Sequence, residues 1–352
     1  RLFIAANNGD IGGGEVMQLH IARAAAELGV QVTVLGPSSP GDLVAASRRA
    51  GFDTVAVTGE GRTGYMLALR RWDATRQGLL WCNGLVPSLA TASHSNRVVH
   101  LHRLPDTLAQ KAAARLAAFG ASAVVVPSRF MAQRVRRWRP DVVTLPNWTH
   151  DLGPISTPAR PPSGPWRIGF LGRVGLDKGV DVLATSLLRL DEIQGRPTQL
   201  VIGGERRFVA EQPAVEAALG ALGSRVSYLG WVDPAAFFAQ VDLAVFPSVW
   251  PEPFGLVAAE AMAAGVPFIV SDAGALPEVA GADYPWVCRA SDPDHLADLS
   301  VQVLASPQRA ASVAASARTR WEAEFSPIAG RGRVRDFLLD LGLLQSGTMP
   351  TP

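Results

Sequence analysis

Short runs of branched apolar residues alternate along this chain with longer stretches whose apolar positions recur at helical spacing. In the first half the runs are LFIAA (2–6), VTVLG (32–36), TVAV (54–57), LLWCN (79–83), VVHLH (98–102), AVVVP (123–127) and VVTLP (142–146). Between them, GEVMQLHIARAAAELG (14–29) and DTLAQKAAARLAAFG (106–120) carry the amphipathic helical pattern. Strands alternating with helices predict parallel sheets covered by helices on both faces. DLGPISTPARPPSGP (151–165) breaks the rhythm with five prolines and no strand run, the composition of an interdomain linker. The pattern then restarts with WRIGFLG (166–172), QLVIGG (199–204), VSYLG (226–230), LAVFP (243–247) and PFIVSD (267–272). The expectation is two doubly wound, Rossmann-like α/β domains, 1–150 and 166–325. A helix in the 326–352 tail is expected to pack towards the first. Ligands of such sheets sit beyond the carboxyl ends of the strands, so the strand-to-helix loops carry the interest.

The 352 residues suffice for two cores, and 48% hydrophobic with 18% charged residues is a globular composition. No apolar run reaches the roughly 18–20 residues that span a bilayer, and RLFIAANN reads as a strand, not as a signal segment. Cys82 and Cys288 follow no metal or disulfide spacing, which points to a reducing cytoplasm. The net charge of +2 conceals an asymmetry: residues 1–150 hold 17 Lys+Arg against 9 Asp+Glu, a net of +8, and the remainder 16 against 22, a net of −6. A basic half suits an anionic partner, with a solvated arginine surface as the alternative.

Two loops could hold phosphate. FLGRVGLDKG (170–179) joins a strand to a helix and carries Arg173 and Lys178 among three glycines, a setting for a diphosphate at a helix N-terminus. Lysine is rare, Lys111 and Lys178 standing against 31 arginines, so a compact cation beside Gly179 is a deliberate choice of shape. NGDIGGGEVM (8–17) repeats the strand, glycine loop and helix in the first half. Neither loop is G-x-G-x-x-G or G-x-x-x-x-G-K-[ST], which speaks against a nicotinamide dehydrogenase or a P-loop hydrolase.

PEPFGLVAAEAMAAG (251–265) places two glutamates in a segment built for burial. Glu252 precedes a helix expected to start near Gly255 or Leu256, and Glu260 lies within it. The helix has no polar face, so a carboxylate there carries a desolvation cost unless partners accept it. Ribose hydroxyls would be such partners for Glu260, and sugar hydroxyls for Glu252. A solvent-facing stripe is the alternative.

GGGE, GRVGLDKG, PEPFGLVAAEAMAAG and SDAGALPEV together resemble the retaining, sugar-nucleotide-dependent glycosyltransferases of family 4. The likeness runs in order over nearly the whole chain. Its most specific part is the E-x7-E element with the preceding R-x4-K, supported by LPNW (145–148) and VVPSRF (125–130). The resemblance implies the GT-B fold: two Rossmann-like domains facing across a cleft, with a C-terminal helix crossing back. It also implies roles. Arg173 and Lys178 match the pair that neutralises the donor diphosphate, Glu260 the ribose-holding glutamate and Glu252 the one contacting the donor sugar. Phe254, Gly255 and Leu256 match a backbone segment reaching sugar and phosphates, Gly13 a glycine near the β-phosphate, and Val232, in LGWVD (229–233), a contact of the base. His102 best matches a histidine that bonds the donor sugar, with His100 as competitor because both face one side of a strand. The chain departs from the family at Gly274–Ala275, where two glycines are common, and in its triple-glycine loop.

The implied reaction moves a sugar from a UDP- or GDP-linked donor to a hydroxyl, on the same face of the sugar, with Arg173 and Lys178 stabilising the leaving phosphate. No cofactor and no metal are expected, because these cations can replace a divalent ion and no Asp-x-Asp or histidine cluster in the sequence demands one. A GT-B sugar-nucleotide epimerase, a phosphorylase and a non-catalytic nucleotide- or carbohydrate-binding scaffold are the competing readings. Acceptor contacts are expected from 58–76 and 102–110. Arginines beside tryptophans in LRRWD (69–73) and QRVRRWRP (133–140) suit an anionic membrane face or a lipid-linked acceptor. No nucleic-acid recognition fold accompanies the charge.

Overall fold

A computed structural model describes residues 1–155, 164–204 and 212–345. The chain divides into two compact units, one comprising Arg1–Trp148 with the segment from Pro327 onward, the other Thr149–Ser326.

The first unit holds strands β1 (Leu2–Ala6), β2 (Val32–Pro37), β3 (Asp53–Val57), β4 (Leu79–Asn83), β5 (Arg97–His100), β6 (Ala123–Val126) and β7 (Val143–Thr144). They pair in the order β3-β2-β1-β4-β5-β6-β7, and every pairing is parallel. Ile4 stands between Val34 and Trp81. All five residues of β1 and of β4 are buried, as strands covered on both faces must be. The covering helices are α1 (Gly13–Glu27), α2 (Asp42–Arg49), α3 (Gly61–Asp73), α4 (Leu85–Ala90), α5 (Leu108–Ala118) and α6 (Arg129–Val135). The sheet order reverses between β1 and β4, so the loops leaving those strands open a crevice there.

In the second unit lie β8 (Trp166–Leu171), β9 (Glu192–Ile193), β10 (Arg196–Gly203), β11 (Val226–Gly230), β12 (Leu243–Phe246), β13 (Phe268–Ser271) and β14 (Val287–Cys288). Their order is β11-β10-β8-β12-β13-β14, with β9 antiparallel on β10. Helices α7 (Val180–Leu188), α8 (Pro213–Leu222), α9 (Pro234–Phe238), α10 (Leu256–Ala264), α11 (Leu276–Ala280), α12 (Pro293–Leu304) and α13 (Pro307–Glu324) complete this unit. The last helix, α14 (Pro327–Asp340), belongs to the first unit and packs on α1. Its Phe337 meets Trp81 edge-on at 5.4 Å between ring centres.

The expected linker 151–165 is tied to the second unit where it is described: Ile155 donates its N–H to the Ala264 carbonyl at 3.0 Å, and Asp151 pairs with Arg318 at 2.7 Å. Residues 156–163 of that stretch lie outside the described residues. The expected strand 98–102 ends at His100, so His102 lies on the loop that leaves it. Cys82 and Cys288 are both buried and free.

Candidate donor and acceptor half-sites

In the second unit, β8 runs into Gly172–Gly179, whose last residues form a single tight turn, Leu176–Lys178, before α7. The loop is docked through its backbone, because Val249 and Trp250 both donate their N–H to the Asp177 carbonyl at 3.1 Å. This brings Lys178 to Glu252, and the two side chains form an ion pair. Ser248 Oγ donates to the same carboxylate oxygen at 2.8 Å, and Ser271 Oγ holds the Ser248 carbonyl at 2.6 Å. Arg173 pairs with Asp177 within its own loop. Both cations are therefore matched to carboxylates of the chain, a feature the sequence does not announce because Asp177 and Ser248 resemble ordinary loop residues. Glu252, just ahead of the helix, bonds through its side chain to Lys178 and Ser248. A bridge to Gly274 fixes its backbone, with Ala275 N–H donating to the Glu252 carbonyl at 2.9 Å. Only glycine fits at 274: φ is +73° and a Cβ would stand 2.3 Å from the Glu252 nitrogen.

Helix α10 starts at Leu256, after Gly255. It buries Ala258, Ala259 and Ala261–Ala264 and leaves Glu260 half-buried. Among the described residues the Glu260 carboxyl has no hydrogen-bond partner. Burial, and then the negative charge of Asp233, pushes its carboxyl up to about 7. Asp233 caps α9, accepting from Ala235 N at 2.9 Å, and half-buried Val232 precedes it. The Phe254 ring is turned into the core against Phe325, 5.5 Å between centres, which leaves the backbone of 254–256 as the part able to meet a ligand.

The first unit gathers a second set at its sheet reversal. Gly12 caps α1, Gly13 opens the helix exposed, and Glu15 accepts from Gly12 N at 3.2 Å. The carboxylate that approaches the triple-glycine turn is thus the chain's own Glu15, which burial pushes up from the usual range. Asn83, fully buried at the end of β4, donates through Nδ2 to the Gly14 carbonyl at 2.9 Å. Its Oδ1 then lies 2.7 Å from His102 Nε2. Oδ1 can only accept, so Nε2 carries the proton and Nδ1 of His102 is left as an acceptor. Burial holds this ring down to about 4, hence neutral at pH 7. The His100 ring lies 4.0 Å away between centres but is fully buried, its Nδ1 accepting from Trp81 Nε1 at 3.3 Å. His102 lines a pocket of about 490 Å³ and His100 does not. Arg62 and Met66 from α3 and Arg103–Asp106 line the same pocket, which places parts of 58–76 and 102–110 around it.

The tryptophans of the two arginine-rich segments face inward. Trp72 meets Phe3 edge-on at 5.0 Å, and Trp138 packs against the core cluster around Val124 and Met131. Among the described residues no helix is long and apolar enough to cross a membrane, and no group of three or more His, Cys, Asp or Glu is placed to hold a metal ion.

Residues 11–150 match the family model described as Glycosyltransferase Family 4, and residues 165–306 the one described as Glycosyl transferases group 1. The chain belongs to glycosyltransferase family 4. Glycogen synthase of Mycobacterium tuberculosis is 35% identical over 170 residues, 47% of this chain and 40% of that protein. The MMP alpha-(1->4)-mannosyltransferase of Mycolicibacterium hassiacum is 33% identical over 151 residues, 42% of this chain and 36% of that protein. The family 4 chain thus spans about two fifths of the length of these curated relatives. Among solved structures, Anabaena Alr3699/HepE in complex with UDP and glucose superposes with a TM-score of 0.81 at 20% identity, covering 96% of this chain and 99% of that one. Sucrose-phosphate synthase from Thermosynechococcus elongatus gives 0.80 at 20% identity, covering 97% and 99%. The fold is GT-B, with two parallel-sheet Rossmann-like units.

Proposed function

We propose that the protein is a retaining glycosyltransferase that moves a sugar from a UDP- or GDP-linked donor to a hydroxyl acceptor such as a glycan, glycolipid or small metabolite. The observation that carries this reading is the convergence of Lys178, Glu252 and Ser248 beyond the ends of β8 and β12, with Arg173 on the same loop. A bound diphosphate would compete for the two cations, releasing Glu252 to accept sugar hydroxyls, while Glu260 would receive those of the ribose. As the glycosidic bond breaks, negative charge grows on the β-phosphate, where fixed cations act most strongly. In same-face substitution the departing phosphate takes the acceptor proton, so the carboxylates bind and orient. Arg173 and Lys178 support a reaction without a divalent metal or other cofactor. His102 offers Nδ1 to a donor hydroxyl, and the acceptor falls to the first unit. The excess of arginine there suits peripheral contact of a cytoplasmic enzyme with an anionic membrane.

Purified protein incubated with UDP- and GDP-sugars should release nucleoside diphosphate in EDTA as fast as without it. Glu252→Ala and Arg173→Ala should lower that rate on the order of 10²–10³-fold. Activity at the wild-type level in both variants would remove the site assignment, and nucleotide binding without release would favour a scaffold.

A further inference from the structure

Helix α5 carries an apolar face that the first unit leaves uncovered. Leu108 is 85% exposed, Leu116 58%, and Phe119, just past the helix end, 67%. With exposed Ala112 these positions follow helical spacing and make one stripe. Lys111 and Arg115 edge it, and residues 108–119 include no acid. An apolar stripe bordered by cations is the pattern of a helix resting in the interface of an anionic bilayer.

The same helix borders the pocket through Gln110 and Ala114. That pocket has two zones. Asn7 and Asn8 offer hydrogen bonds beyond the end of β1, beside His102, whereas Leu85, Val86, Leu89, Leu101 and Leu104 line an apolar side. Arg62 and Arg103 are exposed residues of its lining, and among the described residues neither has an ion-pair partner. Of the pocket's acids, Glu15 is buried against the α1 cap and Asp106 is exposed. A plain oligosaccharide would leave the apolar side unmatched. A molecule with a hydroxylated head, an anionic group and an apolar chain uses every zone.

We propose that the acceptor is an anionic membrane amphiphile. Its head group meets Asn7 and Asn8, its anion meets Arg62 and Arg103, its first chain segment lies along the Leu85–Leu89 side, and α5 rests on the bilayer. This rests on the glycosyltransferase reading for the word acceptor, but the binding can be measured without turnover.

The test is flotation of the full chain with phosphatidylcholine vesicles, with and without phosphatidylglycerol, a lipid with a hydroxylated anionic head. Binding is expected only with the anionic lipid, and Leu116→Glu/Phe119→Glu should cut it by about tenfold or more. Trp231→Glu, which removes a 77% exposed tryptophan from the second unit, should leave it unchanged. Hydrogen exchange should show protection of 83–89 and 101–106 by these vesicles in the wild type. Arg62→Ala/Arg103→Ala should still float but lose that protection. Equal binding to neutral vesicles, or binding insensitive to the α5 pair, would overturn the proposal, as would absence of protection in the wild type. Thermal shifts with UDP and GDP, run alongside, report on the donor reading separately. The α5 pair should leave them intact, and their absence in the wild type would fell that reading while the vesicle result still stood.

Discussion

Glu260 shows what a carboxylate in an apolar helix does to the fold. Its carboxyl is pushed up to about 7 by burial and by Asp233, whereas an unfolded glutamate titrates near 4.3. Between these values the unfolded chain has released a proton that the folded chain still holds. Stability therefore falls as pH rises through that window, and the cost is complete above it. Glu260→Gln should match wild-type melting at pH 4–5 and exceed it at pH 8 by about 2 kcal/mol. The same change should weaken nucleoside diphosphate binding roughly tenfold, because the amide replaces a charged acceptor of ribose hydroxyls. Thermal melts across pH, with calorimetric titration of UDP and GDP, check both halves. Higher stability without weaker binding would detach Glu260 from the ligand. His102 responds differently: a ring held to about 4 stays neutral across ordinary assay pH and contributes an acceptor rather than a charge.

At the scale of elements, the proposed donor half-site depends on loops held to one another by backbone. The β12–α10 loop grips the β8–α7 loop through two N–H bonds to Asp177, and Glu252 is backed by Gly274. Gly274 and Gly265 both have positive φ, +73° and +67°, but a Cβ at 265 would meet nothing within 4 Å. Gly265→Ala should thus cost about 1 kcal/mol of conformational strain. Gly274→Ala should cost about 3 kcal/mol and also weaken diphosphate binding, since the Glu252 backbone must retreat. Urea unfolding of the two variants isolates the clash from the strain, and equal losses would refute this account of the bridge. The periodicity of α10 and its start at Leu256 were legible in the sequence. The pairing of Asp177 with Arg173 was not, because i to i+4 neighbours meet only where the chain turns, and no periodicity marks this short turn.

For the molecule as a whole, the C-terminal helix belongs with residues some three hundred positions earlier. Phe337 is buried in the core of the first unit against Trp81. Phe337→Ala should destabilise that unit by about 3–5 kcal/mol through the lost burial and the cavity left behind. Scanning calorimetry should show an early transition for the first unit, with the UDP- or GDP-stabilised transition of the second unmoved. A shift of both together would mean that the two units unfold as one.

The sequence by itself determined the alternation of strands and helices, the two Rossmann-like units, the loops with Arg173 and Lys178, and the E-x7-E pair. These follow from local periodicity, from glycine placement and from side-chain chemistry, all of which are written along the chain. Tertiary structure decided which carboxylate each cation meets and that His102, not His100, lines the pocket. It also decided that Asn83 sets the proton on His102 and that the tryptophans beside the arginines turn inward while α5 bares its apolar stripe. These depend on distances between residues far apart in sequence and on which face each element buries, and only the packed chain defines either.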